Sequence, residues 1–167
     1  QLDHWFAATA SGGVGTTLVL GGPADAAPLP RYAGTCSLRA SAPGNYVTDD
    51  SPTDLQAFHA RFYALAASGG GPAVVYQARN AASAPMLTVR YSGSAFELAG
   101  SNNAFVASQA VTPGRWYAIE LDWGAGAAPT MTVKGAGAAA LPMVSASAGA
   151  ASDRIDTALL GWLSGGS

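Results

Sequence analysis

The chain has 167 residues, 37 of them Ala and 21 Gly, so that although 49% is apolar the large hydrophobic side chains are only about a quarter of it. Charged residues make up 11%, the net charge is −2 and Lys134 is the one lysine, which argues against nucleic acid and anionic membrane surfaces, since both need clustered Lys and Arg. Gly, Pro, Ser or a charge interrupts every apolar run before the roughly 18 residues a membrane-spanning helix needs. The length suits a single domain over residues 1–167 with a thin core.

The first residue is Gln1, with no basic stretch and apolar run ahead of it, as in a chain whose signal peptide has been removed, and this leads to the expectation of a secreted, extracellular protein. Runs rich in Val, Ile, Leu, Thr and aromatics then recur between Gly, Pro, Ser and Asn clusters at intervals of about 8–12 residues, as in an antiparallel sandwich or barrel. The pattern predicts strands at 15–20, 35–40, 45–48, 56–66, 73–79, 86–91, 95–99, 104–108, 115–123, 129–134 and 155–163. The Ala-rich stretch 136–151 is the best helical candidate, but Gly137, Pro142 and Gly149 break it and its apolar residues lack a 3.6 period. It reads as loop with room for a short strand.

Period-two alternation assigns faces to three of these strands. In 115–123, Tyr117, Ile119, Leu121 and Trp123 form the core side, while Trp116, Ala118, Glu120 and Asp122 face the other way. In 58–65, His59, Arg61, Tyr63 and Leu65 alternate with Phe58, Ala60, Phe62 and Ala64. In 86–91, Leu87, Val89 and Tyr91 oppose Thr88 and Arg90. An outer sheet face decorated by a few polar groups follows, and Trp123 and Trp162 are expected in the core.

Several segments together carry a resemblance. Asn45-Tyr46-Val47-Thr48-Asp49-Asp50-Ser51-Pro52, Ala60-Arg61-Phe62-Tyr63, the run from Pro113-Gly114-Arg115-Trp116 to Trp123, and Ile155 to Gly165 resemble a bacterial, secreted concanavalin A-like (laminin-G-like) jelly-roll domain over roughly residues 15–165. The resemblance implies two stacked antiparallel sheets, one concave, with the concave face commonly used for glycans. Such domains often continue into one more strand after the Gly-Trp segment. This sequence stops at Ser167, which leads to the expectation of a shortened chain or an open sheet edge, and hence of self-association.

Glu120 and Asp122 share the alternation of the Glu-x-Asp-x-x-Glu motif in the glucanases of that superfamily, and a glycosidase needs two carboxyls flanking the scissile bond. Here Trp123, Gly124 and Ala125 follow, no third acid is present, and Glu97 is the one other glutamate, so cross-strand pairing with Arg61 or Arg90 accounts for the two acids more simply. The glycan-binding candidates are Trp116, Glu120, Asp122, His59, Arg61 and Arg90, with Tyr63 as a second aromatic platform; packing under the Pro113-Gly114 turn is the plainer explanation for Trp116. Asp49, Asp50, Ser51 and Asp54 form an oxygen-rich loop that could hold calcium, but no fixed ligand spacing is satisfied and a turn whose side chains bind their own backbone explains the same residues.

His4 and His59 lack acids at zinc-ligand spacing. Cys36 is the single cysteine, which fits a buried inert thiol, with an intermolecular bridge as the alternative. Gly135-Ala136-Gly137-Ala138-Ala139-Ala140 matches a dinucleotide fingerprint only nominally, since Pro142 prevents the helix that must follow. These readings leave a non-catalytic lectin-like module without a cofactor, a self-assembling structural subunit of an extracellular polymer or surface layer, and a degenerate glycoside hydrolase.

Overall fold

The computed structural model describes residues 7–10, 18–21, 37–40, 42–68 and 71–165. Within them the chain forms β1 (Ala7–Ala10), β2 (Leu18–Gly21), β3 (Ser37–Ala40), β4 (Asn45–Asp49), β5 (Ala57–Leu65), β6 (Ala73–Arg79), β7 (Pro85–Tyr91), β8 (Ala95–Ala99), β9 (Ala107–Ala110), β10 (Trp116–Gly124), β11 (Thr130–Gly135), β12 (Val144–Ser145) and β13 (Thr157–Gly165), with no helix among the described residues. It is an all-β antiparallel sandwich: a seven-stranded sheet in the order β1-β4-β13-β6-β7-β8-β9 lies against a four-stranded sheet in the order β12-β11-β10-β5, and β2 and β3 form a separate ribbon. No described helix is long and apolar enough to cross a membrane.

The sequence pattern finds most of these strands, and its misses have local causes. Ala7–Ala10 escapes it because Ala-Ala-Thr-Ala has no large apolar alternation, so the strand exists only through its pairing with β4. The strand expected at 104–108 lies at Ala107–Ala110 instead, since Phe105 leaves the sheet to stack on Arg90, whose guanidinium carbon is 4.0 Å from the ring centre. In the Ala-rich stretch the strand is limited to Val144–Ser145. Cys36 and His4 lie outside the described residues.

The core lies between the two sheets. β10 contributes Tyr117, Ile119, Leu121 and Trp123, all buried as the alternation predicts, and β11 adds Met131 and Val133. Facing them are Tyr76 and Ala78 of β6, Leu87 and Val89 of β7, and Phe96 and Leu98 of β8. Aromatic pairs span the gap: Phe62 of β5 stacks on Tyr76 with ring centres 5.1 Å apart, and Phe96 meets Tyr117 edge-on at 6.2 Å. Each pair adds about 0.5–1.5 kcal/mol beyond its buried area, which compensates in part for the many alanines. Two connections are also tied together, Leu55 and Ile155 exchanging backbone hydrogen bonds of 3.0 and 3.1 Å just before β5 and β13.

β13 is a central strand, paired with β4 on one side and β6 on the other. Its pairing with β6 slips between Leu160 and Ser164, around Gly161 with φ of +147°. A Cβ at 161 would collide with the Asn45 carbonyl oxygen and lie 2.6 Å from the Tyr46 Cα, so only glycine allows this approach. Trp162, expected in the core, lies in the irregular segment between Leu160 and Ser164 and is only half-buried, its indole N–H donating to the Gly165 carbonyl at 2.5 Å.

Candidate functional site

The polar outer face of the four-stranded sheet is built by strand pairing. β5 and β10 run antiparallel with Leu65 opposite Trp116, Tyr63 opposite Ala118, Arg61 opposite Glu120 and His59 opposite Asp122. On the other side of β10, Lys134 is level with Ala118, Thr132 with Glu120 and Thr130 with Asp122. All these residues share one face because every pairing preserves the alternation. The face is graded, aromatic and aliphatic at the Leu65–Trp116 end, charged in the middle and hydroxyl-rich toward Thr130.

The charges are matched across the strands. Arg61 Nε lies 3.3 Å from Glu120 Oε1, and His59 Nδ1 lies 2.7 Å from Asp122 Oδ1. The His59 and Asp122 side chains remain 58% and 69% exposed, so the pairs order the face while leaving its polar atoms open to solvent and contribute only about 0–1 kcal/mol to stability. The Arg61 guanidinium also sits 5.5 Å from the centre of the Tyr63 ring, holding that ring by a cation–π contact.

Ala118 points outward yet is only 5% exposed. Tyr63 stands directly opposite it, and Trp116 is diagonal to Tyr63, so the large neighbours close over the alanine methyl. Tyr63 is 39% exposed and Leu65 36%, while Trp116 is half-buried. Two aromatic side chains thus stand side by side on the outer surface, beside carboxylates and cations that can exchange hydrogen bonds with hydroxyls.

At the Trp116 end the face runs into a cavity of about 590 Å³. One wall is the segment from Ala110 to Arg115 with Trp116 and Tyr117, and the other is the turn after β11, from Gly135 to Leu141. The first wall is braced by the Tyr117 hydroxyl, which accepts the Thr112 N–H at 2.8 Å. It is anchored at Gly114, where φ is +80° and the N–H donates to the Ala66 carbonyl at 2.6 Å. The second is fixed by hydrogen bonds from Ala138 N–H to the Gly135 carbonyl at 3.1 Å and from Leu141 N–H to the Val133 carbonyl at 2.8 Å. Its alanines, Ala136, Ala138 and Ala139, leave the space open.

Of the six glycan-binding candidates, five come together: His59, Arg61, Trp116, Glu120 and Asp122. Arg90 does not. It lies on β7 of the seven-stranded sheet, where its Nε is 2.6 Å from Glu97 Oε2. Alternation puts Arg90 on a polar face but does not say of which sheet, and the β6–β7 and β7–β8 pairings settle that. Glu97, the one glutamate beyond Glu120, is therefore also remote from Asp122. The cavity is not legible in the sequence, since its walls are 18 or more residues apart; the turn signals Pro113-Gly114 and Gly135–Gly137 are the trace it leaves.

The oxygen-rich loop binds its own chain. Asp49 Oδ1 accepts the Ser51 N–H at 3.0 Å and the Ser51 hydroxyl at 2.6 Å. Asp54, at φ of +51°, faces Arg154 at 3.3 Å, and its N–H donates to Asp156 Oδ1 at 2.9 Å. Among the described residues no three His, Cys, Asp or Glu side chains gather as a metal site. Compared with family models and with curated proteins, the chain matches none.

Proposed function

We propose that the chain is an extracellular, non-catalytic lectin-like module of the concanavalin A-like kind that binds a glycan along the outer face of its four-stranded sheet. The observation that carries this reading is the placement of Trp116, opposite Leu65, and Tyr63, opposite Ala118, on one outer face with the Arg61–Glu120 and His59–Asp122 pairs. Sugar rings present an apolar C–H face and a rim of hydroxyls. Aromatic side chains take the first, and solvent-open carboxylates and cations take the second. The acids' engagement with Arg61 and His59 favours binding over hydrolysis, because a glycosidase needs one carboxyl held protonated and a second across the scissile bond.

The test is polysaccharide binding by affinity electrophoresis. Trp116→Ala is expected to weaken binding by about tenfold, and undiminished binding in that variant would overturn the site.

A second reading, a self-assembling structural subunit, is favoured by β5. This nine-residue strand pairs with β10 alone, and no described strand covers its other edge. Light scattering after size exclusion, over a hundredfold concentration range and with and without reductant, distinguishes the two. The lectin reading gives a monomer throughout; a mass that climbs with concentration supports the subunit, and its collapse in reductant assigns the link to Cys36.

A further inference from the structure

Each carboxylate on the outer face of the four-stranded sheet is matched to a cation, Glu120 to Arg61 and Asp122 to His59. Two further cations border the Trp116 end. Arg115 is exposed, lines the cavity and takes part in none of the ion pairs among the described residues; it is the one charged side chain in the described lining. Lys134, also exposed and outside those ion pairs, projects from the same face one residue before the Gly135 that lines the opposite wall. This end of the face therefore has a surplus of positive charge in a chain whose net charge is −2.

The volume of about 590 Å³ falls within the roughly 300–1,000 Å³ range typical of small-molecule sites. The walls are mostly apolar apart from Arg115, Thr112 and Tyr117, and Trp116 forms part of them. A guanidinium offers two parallel N–H donors matched to a carboxylate, and an indole offers a flat apolar surface. A uronic acid unit carries both complements, a carboxylate on the rim of a pyranose ring with a C–H face.

We infer that the cavity beside Trp116 receives a carboxylate-bearing sugar, with Arg115 as the group that pairs its charge, so that the glycan recognised by this domain is acidic. The inference rests on the reading of the outer face as glycan-binding and adds the class of glycan. Lys134 supports the same preference at longer range, as an exposed cation beside the path of the polymer.

The experiment is calorimetric titration of the full chain with hexagalacturonate, with the same hexamer methyl-esterified, and with cellohexaose. The acid form is expected to bind about tenfold more tightly than its ester at low ionic strength, and this preference to shrink with added salt. Arg115→Gln is expected to abolish the preference of acid over ester, while Arg115→Lys retains part of it. Equal binding of acid and ester, or a preference that survives in Arg115→Gln, overturns the inference. Binding of cellohexaose alone overturns it and leaves the glycan-binding reading standing, whereas binding of none of the three overturns both.

Discussion

The two sheets carry the same kind of cross-strand ion pair in different surroundings. On the four-stranded sheet, Arg61–Glu120 and His59–Asp122 stand in open solvent. On the seven-stranded sheet, Arg90 and Glu97 are also directly opposite one another, but their side chains are only 32% and 19% exposed. Phe105 lies across the guanidinium, and the neighbouring row is closed by Gln77, which donates to the Thr88 hydroxyl at 3.2 Å and accepts from Arg79 Nε at 2.5 Å. Thr88 is fully buried although it points away from the sandwich core. One outer face is thus finished by its own chain, and the other is left available. The same cross-strand chemistry is covered on one sheet and solvent-open on the other.

The largest effect is expected where the pair is covered. Arg90→Ala leaves Glu97 partly desolvated without its partner and removes the cation–π contact to Phe105, for a loss of about 2 kcal/mol, between the values for exposed and buried pairs. Arg61→Ala, in the open pair, is expected to cost about 0.5 kcal/mol or less. Urea unfolding of the two variants reads the contrast directly. Equal losses would mean that coverage does not distinguish the two faces.

That contrast shows what the sequence makes legible. Alternation in Arg115–Trp123 and Phe58–Leu65 gives the strands and their faces, because a half-buried strand writes its period into local sequence. Which strands become neighbours is a long-range matter. Glu120 finds Arg61, as the charge pattern suggests, but Asp122 finds His59, and Arg90, equally basic and equally outward, ends on the other sheet. Trp162 departs from its expected burial where the pairing of β13 with β6 becomes irregular between Leu160 and Ser164. The cavity is least legible, being made by two turns that touch only after β9, β10 and β11 have assembled.

A third polar environment, the sealed core, sharpens the comparison with a smaller effect. Tyr76 and Tyr91 both point into the sandwich. The Tyr91 hydroxyl reaches the carbonyls of Ala67 and Gly93, both at 2.7 Å, whereas the Tyr76 hydroxyl, buried against Phe62, has no hydrogen-bond partner among the described residues. A buried hydroxyl without a partner costs stability, so Tyr76→Phe is expected to raise the unfolding free energy at pH 7 by about 1 kcal/mol. Tyr91→Phe, which orphans two carbonyls, is expected to lower it. Burial, with the Asp49 charge adding to it, also drives the Tyr76 phenol far above its ordinary value. The folded state therefore keeps this proton at a pH where the unfolded chain has lost it. The corresponding stability is fully present below about pH 10 and declines above it by about 1.4 kcal/mol per pH unit. Tyr76→Phe removes that part of the alkaline slope and leaves the part due to Tyr91, whose phenol burial also raises, helped by the nearby Tyr117. Denaturant unfolding at pH 7 and between pH 9.5 and 11 measures both effects. A loss of stability in Tyr76→Phe at neutral pH would show that the hydroxyl is satisfied after all and that the core holds a polar contact between the sheets.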